Sequence, residues 1–173
     1  MIFRLSQKLN TKIKAGSLKA MPLDVNSLAD WSAHLFLANR TQYILLSHTK
    51  TLYSVVAFGK GITSDWQFIE RALSSIGEFM AQDGYETEYL RFIAPATARV
   101  RFAKALDRTV TGSINELVQA AKYCLDDGER SPFDVAVELN ELLLSAIAPS
   151  KADKYGRPRE VFQELMRSIA PSV

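Results

Sequence analysis

Residues 31–58 limit the fold more than any other stretch. Trp31, Ala33, Leu35 and Leu37 alternate with Ser32, His34 and Phe36, the two-residue period of a strand with two faces. Asn39-Arg40-Thr41-Gln42 reads as a turn, Tyr43 to Ser47 as a second strand, and His48-Thr49-Lys50 as a second turn. Leu52 to Phe58, rich in Val and aromatic residues, reads as a third strand. Links this short force neighbours to run antiparallel, so a three-stranded meander is expected.

The flanking segments add helices and two more strands. Residues 1–5 suit a short strand, after which Ser6 can cap a helix over 7–14 with Leu9 and Ile13 inward. Residues 15–30 hold Gly16, Pro22, Asp24, Asn26 and Ser27 and read as an irregular connection. Ser64-Asp65-Trp66-Gln67 has the form of a capping box and predicts a helix to Gln82, with Trp66, Ile69, Leu73, Ile76 and Met80 on its inner stripe. Residues 85–97 fit a helix ended by Pro95 or a strand. Ala98, Val100 and Phe102 alternate with Arg99 and Arg101, a strand pattern that would put both arginines on one side. Asp107 to Gly112 reads as a turn, and Ser113-Ile114-Asn115-Glu116 as a second capping box that starts a helix burying Ile114, Leu117, Val118, Ala121 and Leu125. Ser131-Pro132 opens another helix. A polar, basic linker over 149–157 precedes a last helix from Pro158 to Ile169, with Val161, Phe162, Leu165 and Met166 inward.

This order does not alternate strand and helix as a doubly wound sheet requires. It predicts an α+β fold: an antiparallel or mixed sheet containing the meander, with about five helices packed mainly on one face. The 173 residues suit one domain over 1–173. A single cysteine, Cys124, allows no internal disulfide and fits a reducing compartment. With no apolar run long enough for a membrane span and no secretory leader, a cytoplasmic protein is expected. A net charge of +2 is too mild to demand a nucleic-acid or membrane partner.

No catalytic, metal or cofactor motif stands out. His34, mid-strand, is the one candidate base; His48 reads as turn chemistry and Cys124 as a buried structural thiol. Gly59-Lys60-Gly61 lacks the spacing of a phosphate loop. What remains is basic charge. One cluster is Arg4, Lys8, Lys12, Lys14 and Lys19; another is Arg99, Arg101, Lys104 and Arg108. Side by side they would form a patch suited to phosphates. The second leads into Thr109, Thr111, Gly112 and Ser113, where a helix N-terminus would favour an anion. Ser113 and Glu116 would satisfy the same amides internally, so a purely structural turn competes with that reading.

The opening Met1-Ile2-Phe3-Arg4-Leu5-Ser6-Gln7-Lys8-Leu9, the strand from Asp30 to Leu35, Leu52-Tyr53-Ser54-Val55-Val56, and Arg101-Phe102-Ala103-Lys104 through Arg108 to Glu116 resemble an uncharacterised bacterial domain family. Its last motif reads Lys-x-x-Asn-Arg-Ser-Val-x-Gly-Ser-Met-Asn-Asp, and Asp107, Thr109, Ile114 and Glu116 depart from it mildly. The resemblance implies no activity, but draws attention to Lys104, Arg108, Gly112, Ser113 and Asn115. Together with Arg99 and Arg101 these are the expected ligand-binding residues. The expected function is non-enzymatic binding of an anionic ligand, such as nucleic acid or another phosphate-bearing molecule. A small enzyme acting on an anionic metabolite, or a homodimeric protein–protein adaptor, are the alternatives, and a homo-oligomer is among the expected partners.

Overall fold

The structure, a computed structural model, describes residues 1–150 and 152–169. Its centre is a five-stranded mixed sheet of β1 (Ile2–Leu5), β2 (Asp30–Ala38), β3 (Thr41–His48), β4 (Ser54–Phe58) and β5 (Arg101–Ala103). The strand order is β4-β3-β2-β1-β5. β2, β3 and β4 form the expected antiparallel meander, and β1 lies parallel to both β2 and β5. The fold is α+β, with helices α1 (Gln7–Ile13), α2 (Asp65–Gln82), α3 (Glu86–Glu88), α4 (Arg108–Leu125), α5 (Pro132–Leu139) and α6 (Pro158–Ile169).

Local chemistry sets the meander's turns. Asn39 and Arg40 both take positive φ, so β2 and β3 join through a two-residue hairpin whose twist matches that of the strands. The second turn is longer than the sequence implied. Leu52 is left-handed at φ 58°, its N–H donates to the His48 carbonyl, and β4 starts only at Ser54. At the sheet's outer edge the buried Asn140 imitates a neighbouring strand: its Oδ1 accepts from the Ser54 N–H and its Nδ2 donates to the Ser54 carbonyl.

Buried side chains stand on both faces of the sheet. Phe3 meets Phe68 of α2 edge-on, and His48 meets Phe162 of α6, which also stacks on Tyr53 at 4.0 Å. On the other face Phe36 and Leu45 are buried, and Tyr43 stacks on Phe36 and packs on Phe58. α4 packs against β2, and α5 against β4.

Four local expectations change. The cap of α4 lies six residues before the expected one. Asp107 is the N-cap, its Oδ1 accepting from the Val110 N–H at 2.8 Å, and Gly112 and Ser113 lie inside the helix. The β-branched Thr109, Val110 and Thr111, with Gly112, are weak helix formers that hid this turn, but an Asp cap offsets such small costs. Arg99 and Arg101 do not share a strand: Pro95–Ala98 is a 3-10 turn, Arg99 ends it, and β5 is only three residues long. Ser64 is the N-cap of α2 but makes no side-chain cap bond, and Gln67 Oε1 accepts from the N–H and hydroxyl of Thr63 rather than from Ser64. The inner stripe of α2 is accordingly Phe68, Ala72, Ile76, Phe79 and Met80, and Trp66 is 61% exposed. Of the two readings left open for residues 85–97 the helical one holds, with helical turns continuing past Pro95 to Ala98.

Of the expected linker, Lys151 lies outside the described residues. Gly156 pairs with Leu144 through two 2.9 Å backbone bonds. A Cβ there would collide with the Ile147 carbonyl, so this crossing requires glycine.

Candidate functional site

The cleft that gathers most of the convergent polar groups opens where β1 ends. After Leu5 the chain turns into α1, with the Ser6 hydroxyl accepting from the Leu9 N–H. β2 continues without β1, paired only with β3, for another five residues, to Ala38. Ser6, Gln7 and Lys8 at the start of α1 form one wall. On α4, Asn115, Val118, Gln119 and Lys122 form the other, and residues 34–37 of β2 with Gln42 complete a cavity of about 510 Å³. Asn115, Gln119 and Lys122 are four and three residues apart, so one stripe of α4 presents all three.

This cleft has a definite electrostatic character. Its charged residues are Lys8 and Lys122, and its lining contains no carboxylate. Carboxamides of Gln7, Gln42, Asn115 and Gln119 supply donors and acceptors. Lys12 Nζ donates to Gln42 Oε1 at 2.6 Å, which leaves the Gln42 amide nitrogen as the donor end of that side chain. Burial lowers the His34 pKa to about 4, so its imidazole is neutral at physiological pH. It can donate or accept one hydrogen bond but is a weak base.

The expected site residues are dispersed. Asn115 lines the cleft. Lys104 borders a separate, shallower hollow of about 390 Å³ with Asn10, Gly16 and Ser17, while its N–H donates to the Lys19 carbonyl. The two basic clusters therefore do meet, at Lys19 and Lys104. Arg101 is held by Asp24 at 3.4 Å, and Arg99 and Arg108 are exposed away from the cleft lining. Gly112 is exposed on α4 and Ser113 is buried in it, so the anion-binding helix start expected at these two residues does not exist.

Arg4 departs furthest from expectation. Assigned by sequence to a surface patch, it is 1% exposed. Its Nε and Nη2 each donate at 2.8 Å to one oxygen of Asp30, a bidentate pair. Its remaining donors reach the carbonyls of Met21, Pro22 and Lys104, and Asp30 also accepts from the Asp24 N–H. This cluster pins the irregular segment before β2 onto the sheet.

Two other candidates resolve as structure. His48 is fully buried, with Nδ1 bonded to the Thr51 hydroxyl and Nε2 to the Ser27 carbonyl, and desolvation lowers its pKa to about 4. Cys124 is half-buried rather than buried; desolvation, then the neighbouring Glu138 carboxylate, raises its pKa, the wrong direction for a nucleophile. Among the described residues no group of three or more His, Cys, Asp or Glu side chains is placed to hold a metal ion. No helix among them is long and apolar enough to cross a membrane.

Sheet, helices and cleft together define an α+β domain with a polar, cationic cavity at the end of a parallel strand. The chain belongs to the family described as a domain of unknown function, DUF6933, whose model matches residues 2–161. That span includes the whole cleft and the Arg4–Asp30 pair. No curated protein and no solved structure matches the chain.

Proposed function

We propose that this protein is a non-enzymatic binding domain, folded as one unit, whose ligand is anionic and sits in the cleft between α1 and α4. The observation that carries the reading is the lining: lysines on two facing helices, four carboxamides and no acidic side chain. Such a wall attracts negative charge and offers hydrogen bonds for orienting it. The His34 pKa, lowered to about 4, supports binding over general-base chemistry. Of the contacts expected from the sequence, Asn115 belongs to this site; Lys104 with Lys19 forms a secondary basic spot beside it.

The dispersal of the arginines supports a ligand with a few anionic groups over a long polyanion. Arg4 is buried and Arg101 is paired with Asp24, so the extended stripe that a nucleic acid needs is interrupted within both basic clusters. Calorimetric titration with nucleotide monophosphates, dicarboxylates and short single-stranded oligonucleotides, at low and near-physiological salt, tests this. Binding that weakens with salt and drops about tenfold in a Lys8→Gln/Lys122→Gln double variant is expected. Binding indifferent to both lysines, or no anion bound at low salt, overturns it.

A further inference from the structure

The backbone of β2 narrows the ligand class further. β1 and β2 pair in parallel from Ile2↔Asp30 to Leu5↔Ala33, and the Ser6 N–H donates to the Ala33 carbonyl. There the pairing stops. Along β2, odd-numbered residues face β1, since the carbonyls of Ala29 and Ala33 accept from Ile2 and Ser6. Even-numbered residues face β3, since the Asp30 carbonyl accepts from the Thr49 N–H. The β2–β3 register runs unbroken to Ala38↔Thr41, so this alternation carries through. The N–H and C=O groups of Leu35 and Leu37 therefore point into the lane that a longer β1 would fill. The Ser6 carbonyl does not reach into it, because it accepts from the Asn10 N–H at 2.9 Å. Both leucines line the cleft, and Leu37 is 57% exposed.

We infer that the cleft receives an acidic peptide in extended form, which adds to β2 as a strand along residues 34–38. The inference rests on the anion-binding reading above and names its ligand. Two donors and two acceptors in strand alternation match a peptide backbone. A nucleic-acid backbone offers phosphates that the N–H groups could bind but that the two carbonyls would repel. The lane is walled by a lysine on either side, Lys8 on α1 and Lys122 on α4, and lacks carboxylates, which favours acidic side chains on the incoming strand. Leu37 supplies apolar contact for the peptide's alternate residues.

The test uses the whole chain, labelled with ¹⁵N, and an end-blocked peptide of alternating glutamate and valine. About seven residues span the free stretch of β2 with one to spare at each end. Saturating peptide is expected to slow hydrogen exchange of the Leu35 and Leu37 amides about tenfold or more, with no such change at even-numbered β2 amides. The same peptide N-methylated at alternate residues is expected to bind at least about tenfold more weakly. Leu37→Pro, which removes one edge donor where an edge strand tolerates proline, is expected to weaken the unmodified peptide similarly. Equal binding of the N-methylated peptide overturns strand addition, whatever the proline variant does to folding. If nucleotides or dicarboxylates bind through Lys8 and Lys122 but the peptide leaves Leu35 and Leu37 unprotected, strand addition fails and the anion cleft stands. If an oligonucleotide binds there and the peptide does not, the inference is wrong in ligand class. If neither peptide nor anion binds, both readings fall.

Discussion

Arg4 and Lys8 stand four residues apart in one basic run, and the fold treats them oppositely. Arg4 is sealed into the sheet, its guanidinium matched to both Asp30 oxygens and to three carbonyls. Lys8 stands exposed on the wall of a cleft that holds no acid to match it. The histidines repeat the contrast. His48 is buried with both ring nitrogens bonded inside the protein, while His34 lines the cleft. Charge whose partners are already within the fold holds the chain together. Charge left facing a cavity is available to something else.

The largest expected effect would break the comparison at its buried end. Asp30→Ala strands the Arg4 charge inside the protein and should cost about 3–5 kcal/mol in urea unfolding. A loss below about 1 kcal/mol would mean that Arg4 reaches water and is not a structural group.

Next comes the pH dependence of stability. For both histidines the folded pKa, about 4, lies below the ordinary 6.5. Between those values the unfolded chain binds more protons, so the stabilisation is complete above pH 6.5 and is lost as pH falls towards 4. The fully buried His48 should account for about 3 kcal/mol of this, to order of magnitude. Urea unfolding across that window should show stability dropping with acid, and His34→Gln should leave most of the drop in place. A flat profile would show that acid reaches neither ring at a cost to the fold.

A smaller effect separates the two possible starts of α4, the helix that carries the cleft's second wall. Asp107→Ala should cost about 1 kcal/mol, whereas Ser113→Ala should change little, because Ser113 is inside the helix and not its cap. Thermal melts of the pair decide it, and the reverse order would restore the later start.

The smallest effect on stability, and the one that sharpens the comparison most, is Lys8→Glu with Lys122→Glu. Both lie on the cleft surface, so unfolding free energy should stay within about 0.5 kcal/mol. Anion binding, read by calorimetry, should be lost. Substantial unfolding instead would place these lysines in the structural class with Arg4.

Much of the fold was legible because it rests on local chemistry. Alternation over 31–58 set the meander, Ser6 and Ser131 cap α1 and α5, and Phe162 and Met166 of α6 face inward as their spacing implied. The start of α4 misled because Asp107 and Ser113 are both good caps, and the weak helix formers between them favoured the wrong one. The cleft was legible at Asn115 and at Lys8 of the first basic cluster, with His34 noted on other grounds. Gln119 and Lys122 follow Asn115 at helical spacing, but no spacing connects that stripe of α4 to Gln7 and Lys8 of α1 or to Gln42.

From the sequence alone followed an α+β domain, its meander, most of its helices and its modest positive charge. These depend on periods of two and 3.6 residues and on capping, all of which act within a few residues. Only the tertiary structure decided which charges are spent. Asp30 reaches Arg4 from twenty-six positions away in the chain, and Lys122 faces Lys8 across the end of a strand that stops too soon. Solvation and pairing are set by neighbours in space, and for Arg4 and Lys8 those neighbours turned one basic run into an anchor and an open site.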